Sequence, residues 1–356
     1  MLKHGKVYYL LVCFFLAVTW IVASTSFAAE KTITLRYSTF FPPGHPHAVL
    51  SEQWCKEVEK RTNGKVKVNH HPGATLTSPP QTYDSILSNV IDVGLCVLGY
   101  TMGKFPLSEV VSYPLGVPSG PLSEVVSYPL GVPSGSMATR LVNEYFVKFK
   151  PAEFNNVKVM YFQANGPGII HTRKPVNKLE DMKGLKIRTF GPTSAFISNV
   201  GGAPVAMPMG DSYDAISRGV VDGIYVPYEA LIGWKLGEVV KYTTENFGSA
   251  YSGVQMVAMN KDKWNSLPPD AQKAIEAINQ EWIEKQGKMW DDLDRDGKDF
   301  ILKRGNKIIT LSKEEDARWA AKTQPLFDEY IKKMKDKGLP GEEVVKFYRE
   351  RLKTSR

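Results

Sequence analysis

Between Thr32 and Tyr100 the chain alternates two hydrophobic periods, and that alternation restricts its fold more than any other feature. TITLRYSTFF at 32–41 alternates β-forming and polar residues and reads as a strand. Pro42, Pro43 and Gly44 end it. AVLSEQWCKEVEKRT at 48–62 then sets Val49, Leu50, Trp54 and Val58 on one helical face, and Asn63-Gly64 closes it. VKVNH at 66–70 is a second strand, TYDSILSNV at 82–90 a second helix, and DVGLCVLGY at 92–100 an apolar third strand. Strand and helix in strict alternation mean an open sheet with helices on its faces.

The alternation resumes further on. ATRLVNEYFVKF (138–149) is helical, VKVMYFQA (157–164) and GIIHTR (168–173) are extended, and LKIRTF (185–190) is a strand before a helix over 193–200. PVAMP, the helix DSYDAISRGV and the strand DGIYV follow. From Pro268 one long helix reaches about Lys303, with Ala271, Ile275, Ile278, Trp282, Met289, Trp290 and Leu293 inward. Ser312 and Glu315 form a capping box for the next helix, which Gly338 ends, and GEEVVKFYRERL at 341–352 is the last. The expected organisation is lobe I over 30–162, lobe II over 163–247, a return to lobe I with a long bracing helix over 248–300, and C-terminal helices over 301–356. The lobes are joined by extended crossings near 157–172 and 247–260. Open α/β sheets bind ligands beyond the carboxyl ends of their strands, so two facing sheets place a site in the cleft between them.

Lys3 and Lys6, an apolar run from Val7 to about Val22, and Ser26-Phe27-Ala28 have the form of a cleavable secretory signal peptide. Residues 1–28 are therefore expected to be removed and the mature chain to be periplasmic. The formal charge of +8 over 356 residues would fall to +6 with those two lysines. This mild basicity suits an anionic ligand. No Lys/Arg block with interleaved aromatics supports nucleic-acid binding, and no later stretch is long and apolar enough to span a membrane. Cys55 and Cys96 remain, either as a disulfide or as two buried thiols.

Several runs resemble the solute-binding, DctP-type subunit of the TRAP (tripartite ATP-independent periplasmic) transporters. They are GLKIRTFGP at 184–192, GGAPVAMPMGDSYDAISRGVVDG at 201–223, VEKRTNGKVKVNHHPGATL at 58–76, DVGLCVLGY at 92–100 and KFPLSEV at 104–110. The resemblance covers the chain from Ile33 to the C-terminal helices. It implies a periplasmic-binding-protein-like α/β fold with two lobes and an interlobe cleft. It also implies a small organic acid as ligand, TRAP membrane permease subunits as partners, and no catalysis and no cofactor.

Arg188 ends the short strand Leu185-Lys186-Ile187, and a guanidinium there offers a planar fork for a carboxylate. The resemblance assigns that role to the arginine of this motif. Where members taking C4-dicarboxylates or sialic acid often have a second arginine, this chain has Gly168. Where they have an asparagine in a VDGQENP-like segment, VDGIYVP puts Val226, and an aromatic lining position is Met209. A second carboxylate would lack a partner for its charge, so a monocarboxylate with an aromatic or branched tail is expected. Tyr225, Tyr228 and Glu229 are candidates for a hydroxyl or keto group on it. Phe41, His45 and Tyr100 follow lobe I strands and face the cleft.

Two rival constellations stand beside this reading. His45, His47, His70 and His71 leave strands 1 and 2 at one sheet edge, which would suit a metal-binding receptor, although no carboxylate or cysteine is spaced to complete the ligand set. DDLDRDGKDFILK at 291–303 mimics a calcium loop through Asp292, Asp294, Asp296 and Gly297, but Lys303 stands where a bidentate Glu is needed. It is read as a solvated helix face. No nucleophile elbow, HExxH or phosphate loop supports an exported enzyme. Finally, PLSEVVSYPLGVPSG occurs at 106–120 and again unchanged at 121–135. Fifteen residues with three prolines bury no core of their own, so one copy is expected to be a surplus exposed loop within 106–135.

Overall fold

The computed structural model describes residues 32–114 and 134–354. The leader segment 1–28 and most of the doubled stretch lie outside the described residues. In lobe I the strands β1 (Ile33–Ser38), β2 (Val66–His71), β3 (Val93–Val97), β4 (Val157–Ala164) and β10 (Val254–Asn260) form one sheet in the order β2-β1-β3-β10-β4. In lobe II, β5 (Ile169–Thr172), β6 (Lys186–Thr189), β7 (Ala203–Ala206), β8 (Gly223–Val226), β9 (Tyr242–Glu245) and β11 (Lys307–Thr310) form another in the order β11-β9-β5-β8-β6-β7. β1 is parallel to β2 and β3, whereas β10 is antiparallel to β3 and β4. This antiparallel pair is the signature of a chain that leaves lobe I along β4 and returns along β10. The two connecting stretches touch midway: Gly168 bridges Tyr251, and the Gly253 N–H donates to Asn165 Oδ1 at 2.7 Å.

Helix α1 (Pro46–Arg61) starts cleanly because His45 caps it, Nδ1 accepting the His47 N–H at 3.2 Å, with Pro46 in the first turn. Its inward face holds Leu50, Trp54, Cys55 and Val58. Val49 turns outward instead, 46 % exposed, because it lies on the stripe that carries Glu52 and Lys56. Cys55 packs on one side of the lobe I sheet and Cys96 on the other, so both are free thiols in separate cores. Burial raises both thiols far above the usual range.

The long helix from Pro269 to Lys303, α8, braces both lobes. On the lobe I side Trp54 Nε1 donates to Asn279 Oδ1 at 3.0 Å, and Trp282 Nε1 donates to the Leu50 carbonyl at 3.2 Å. On the lobe II side Asp294 Oδ1 accepts the Glu229 N–H at 2.8 Å, and Lys298 meets Glu245 at 2.8 Å. Gly297 is pressed so close that a Cβ there would lie 2.1 Å from the Tyr228 carbonyl oxygen. The chain then enters β11, a short strand at the edge of the lobe II sheet that pattern reading passes over, before three helices complete the tail. No helix among the described residues is long and apolar enough to cross a membrane.

Part of the first copy of the doubled stretch is packed. Leu107, Val110 and Val111 are buried, Ser108 Oγ lies 2.9 Å from the Tyr145 hydroxyl, and Glu109 pairs with Lys333 at 3.0 Å. Ser134 and Gly135, the last two residues of the second copy, open the helix Gly135–Phe149, where the Ser134 hydroxyl accepts the Met137 N–H.

Candidate functional site

The lobes meet along the carboxyl edges of their parallel strands. A close backbone approach joins the turn after β3 to the turn after β6. Gly191 has φ of +43°, and a Cβ there would lie 2.5 Å from the Gly99 oxygen. Next to this contact the side chains of both lobes line a partly open cavity.

Arg188, on β6, is 2 % exposed and lines that cavity. Its Nε and Nη2 donate to the Met207 carbonyl at 3.1 and 2.8 Å, and Nη2 also donates to the Tyr100 hydroxyl at 3.1 Å. The Phe190 ring lies 5.6 Å from the guanidinium. No carboxylate among the described residues pairs with it. A buried guanidinium without a counter-ion is costly, so this position favours an incoming anion strongly. Tyr100, reaching across from lobe I, accepts from Arg188 and from the Met209 N–H at 3.0 Å. With both lone pairs used, its O–H hydrogen is the donor for a third partner.

The remaining wall is mostly aromatic and aliphatic: Phe40, Phe41, Phe190, Trp234, Tyr251 and Trp290, with Val97, Met209 and Val226. Phe40 of lobe I stacks on Trp234 of lobe II with centroids 6.1 Å apart and planes 16° apart, closing one side. The polar side chains are Asn165, Gln255 and Glu229. Asn165 is already engaged with Gly166 and Gly253, and Gln255 Oε1 accepts from Gln163 at 2.8 Å.

Of the residues singled out from the sequence, Arg188, Met209, Val226, Phe41, Tyr100 and Glu229 line the cavity. Three do not. Tyr228 turns its hydroxyl to Glu245 Oε1 at 2.9 Å, within the lobe II core. Tyr225 likewise donates to the Ser249 carbonyl. Gly168 sits under the Tyr251 ring, and a Cβ there would fall 2.1 Å from a ring carbon, so this position has no room for an arginine. His45 stands one layer back, its Nε2 2.7 Å from Glu229 Oε1. Trp234, Trp290, Asn165, Tyr251 and Gln255 join the wall although pattern reading did not point to them.

The histidines do not converge. His47 Nδ1 bonds Gln286 at 2.9 Å, and burial holds its pKa down at about 3, so it is neutral. His70 Nε2 bonds Thr39 at 2.8 Å, and its Nδ1 lies 3.5 Å from Glu52. Among the described residues no group of three or more His, Cys, Asp or Glu is placed to hold a metal ion. The calcium-like run lies inside α8. Asp292 pairs with Lys288 and Arg295, but Asp294 is 2 % exposed, which corrects its reading as part of a solvated face.

Residues 37–333 match the sequence profile of the bacterial extracellular solute-binding proteins, family 7 (DctP). A crystal structure of a TRAP periplasmic solute-binding protein from Desulfovibrio salexigens is 32% identical, covers 90% of this chain and 96% of its own, and superposes with a TM-score of 0.76. A marine-metagenome TRAP solute-binding protein described as specific for aromatic acid ligands, in complex with metahydroxyphenylacetate, is 27% identical (90% and 99% covered, TM-score 0.81). A third, from Rhodoferax ferrireducens with copurified benzoate, is 26% identical (91% and 98% covered, TM-score 0.80).

Proposed function

The chain belongs to the DctP family of bacterial extracellular solute-binding proteins and is a solute receptor of the TRAP type, not an enzyme; from that premise we propose that its ligand is a small aromatic monocarboxylate. The observation that carries this is Arg188. It is a buried cation with no carboxylate partner among the described residues, set with the Tyr100 hydroxyl in a mostly aromatic and aliphatic cavity. A carboxylate there receives the guanidinium fork and the phenolic hydrogen together, and a ring would lie among Phe41, Phe190, Trp234 and Trp290, which line the same cavity. A second carboxylate would find no second cation among the residues lining the cavity, since the place of the usual second arginine is filled by the Tyr251 ring. The two relatives with aromatic acids bound support the same class.

Binding groups come from both lobes, Tyr100 from one and Arg188 from the other, so the ligand holds the closed arrangement better than the open one. The stretches 157–172 and 247–260, which pair at Gly168 and Tyr251, would carry the bend, while α8 stays docked on both lobes. The closed form then delivers its acid to TRAP permease subunits in the membrane, after residues 1–28 have directed export and been removed.

A thermal-shift screen tests the ligand class, because a ligand that binds only the native state raises its stability with concentration. Benzoates, phenylacetates and mandelates are expected to raise the melting temperature in a dose-dependent way, and succinate and malate to leave it unmoved. A shift with the dicarboxylates and none with the aromatic acids would overturn the proposal.

A further inference from the structure

The cavity holds a second polar pole that a plain aromatic acid would leave unused. Glu229, just past β8, is 2 % exposed and lines the wall. The tautomer of its neighbour is fixed by geometry: His45 Nδ1 accepts the His47 backbone N–H, so the hydrogen sits on Nε2 and is donated to Glu229 Oε1 at 2.7 Å. That uses one carboxylate oxygen. Oε2 has no hydrogen-bond partner among the described residues.

The long helix supplies the complement. Trp290 lines the same cavity, is 2 % exposed, and its indole Nε1–H is buried with no acceptor among the described residues. Asp294, one helical turn further along, holds the Glu229 backbone through the 2.8 Å bond to its N–H. The same turn of helix therefore positions an orphan donor and the residue that carries an uncommitted acceptor. Burial, with the Glu229 charge adding to it, holds the Asp294 carboxyl well above the usual carboxylate range.

An orphan donor and a carboxylate oxygen with a free valence, on two residues lining one cavity, supply what a ligand hydroxyl needs, which accepts from one and donates to the other. We propose that Glu229 and Trp290 are specificity-determining residues, and that the ligand is a ring-hydroxylated or side-chain-hydroxylated aromatic monocarboxylate rather than an unsubstituted one. This rests on the reading of the cavity as an aromatic-acid site and narrows it. A site that hydrogen-bonds a substrate hydroxyl rejects the analogue lacking it, because the buried groups are then left unpaired.

The test is calorimetric titration of the full mature receptor with benzoate, the three monohydroxybenzoates, phenylacetate, 3-hydroxyphenylacetate and mandelate. At least one hydroxylated acid is expected to bind about tenfold or more tighter than its parent acid. In Glu229→Gln, and separately in Trp290→Phe, which keeps a ring but removes the N–H, that ratio should fall toward one. Melting temperatures of both variants without ligand establish that they are folded, and the ratio in either folded variant suffices. Parent and hydroxylated acids bound equally by the unaltered protein would overturn this inference while leaving the aromatic-acid reading intact. So would a ratio that survives in the folded variants. Failure of every aromatic acid to bind would remove both readings together.

Discussion

Arg188→Ala is expected to weaken binding of an aromatic acid by about 100-fold or more, the usual consequence of truncating one partner of a buried, hydrogen-bonded charge pair. The unliganded protein should melt no lower than the unaltered one. Among the described residues Arg188 is buried without a carboxylate partner, so its removal takes away a desolvated charge as well as three hydrogen bonds to Met207 and Tyr100. Arg188→Lys should fall between the two, keeping the charge but losing the planar fork. Titration calorimetry and thermal melting of the three proteins separate these effects. A large fall in melting temperature for the alanine variant would instead assign Arg188 to the fold.

The second large effect is expected at Gly297, far along the chain from Arg188. Gly297→Val should destabilise the protein by about 3 kcal/mol or more, because the added Cβ meets a backbone carbonyl and not a side chain that can swing away. That carbonyl belongs to Tyr228, immediately before Glu229. The substitution forces lobe II off the bracing helix and misplaces the carboxylate in the cavity. Chemical denaturation should therefore show the loss of stability, and affinity should fall with it. An unchanged denaturation midpoint would mean that α8 does not brace lobe II as its contacts imply.

The sequence carried the frame of this molecule because its signals are local. The alternating periods of residues 32–100, the capping residues and the breakers Pro42, Gly64 and Gly338 each act within a few positions. Arg188 was legible for a related reason. It lies near the end of a strand whose neighbours are core residues, and the motif around it resembles a known family. The wall of the cavity was less accessible. Helical spacing turns Trp290 inward, but periodicity does not distinguish a side chain facing packed core from one facing a cavity. Trp234, Tyr251, Asn165 and Gln255 come from turns and crossings, and their meeting depends on how two lobes close.

Asp294 shows the opposite limit. A run of alternating aspartates reads as solvated, and its burial is decided by a backbone N–H 65 residues away in sequence. Gly168 was legible as a departure from the family, but the reason for it was not. The Tyr251 ring occupies the space an arginine would need, and only the pairing of the two crossings brings Tyr251 there.

A crystal structure of the mature protein grown with the aromatic acid that shifts its melting most tests the central claim most directly. The account predicts the ligand carboxylate between the Arg188 guanidinium and the Tyr100 hydroxyl, within hydrogen-bond distance of both, with the ring against Phe41 and Trp234. A carboxylate bound elsewhere, with Arg188 still turned only to Met207 and Tyr100, would contradict it.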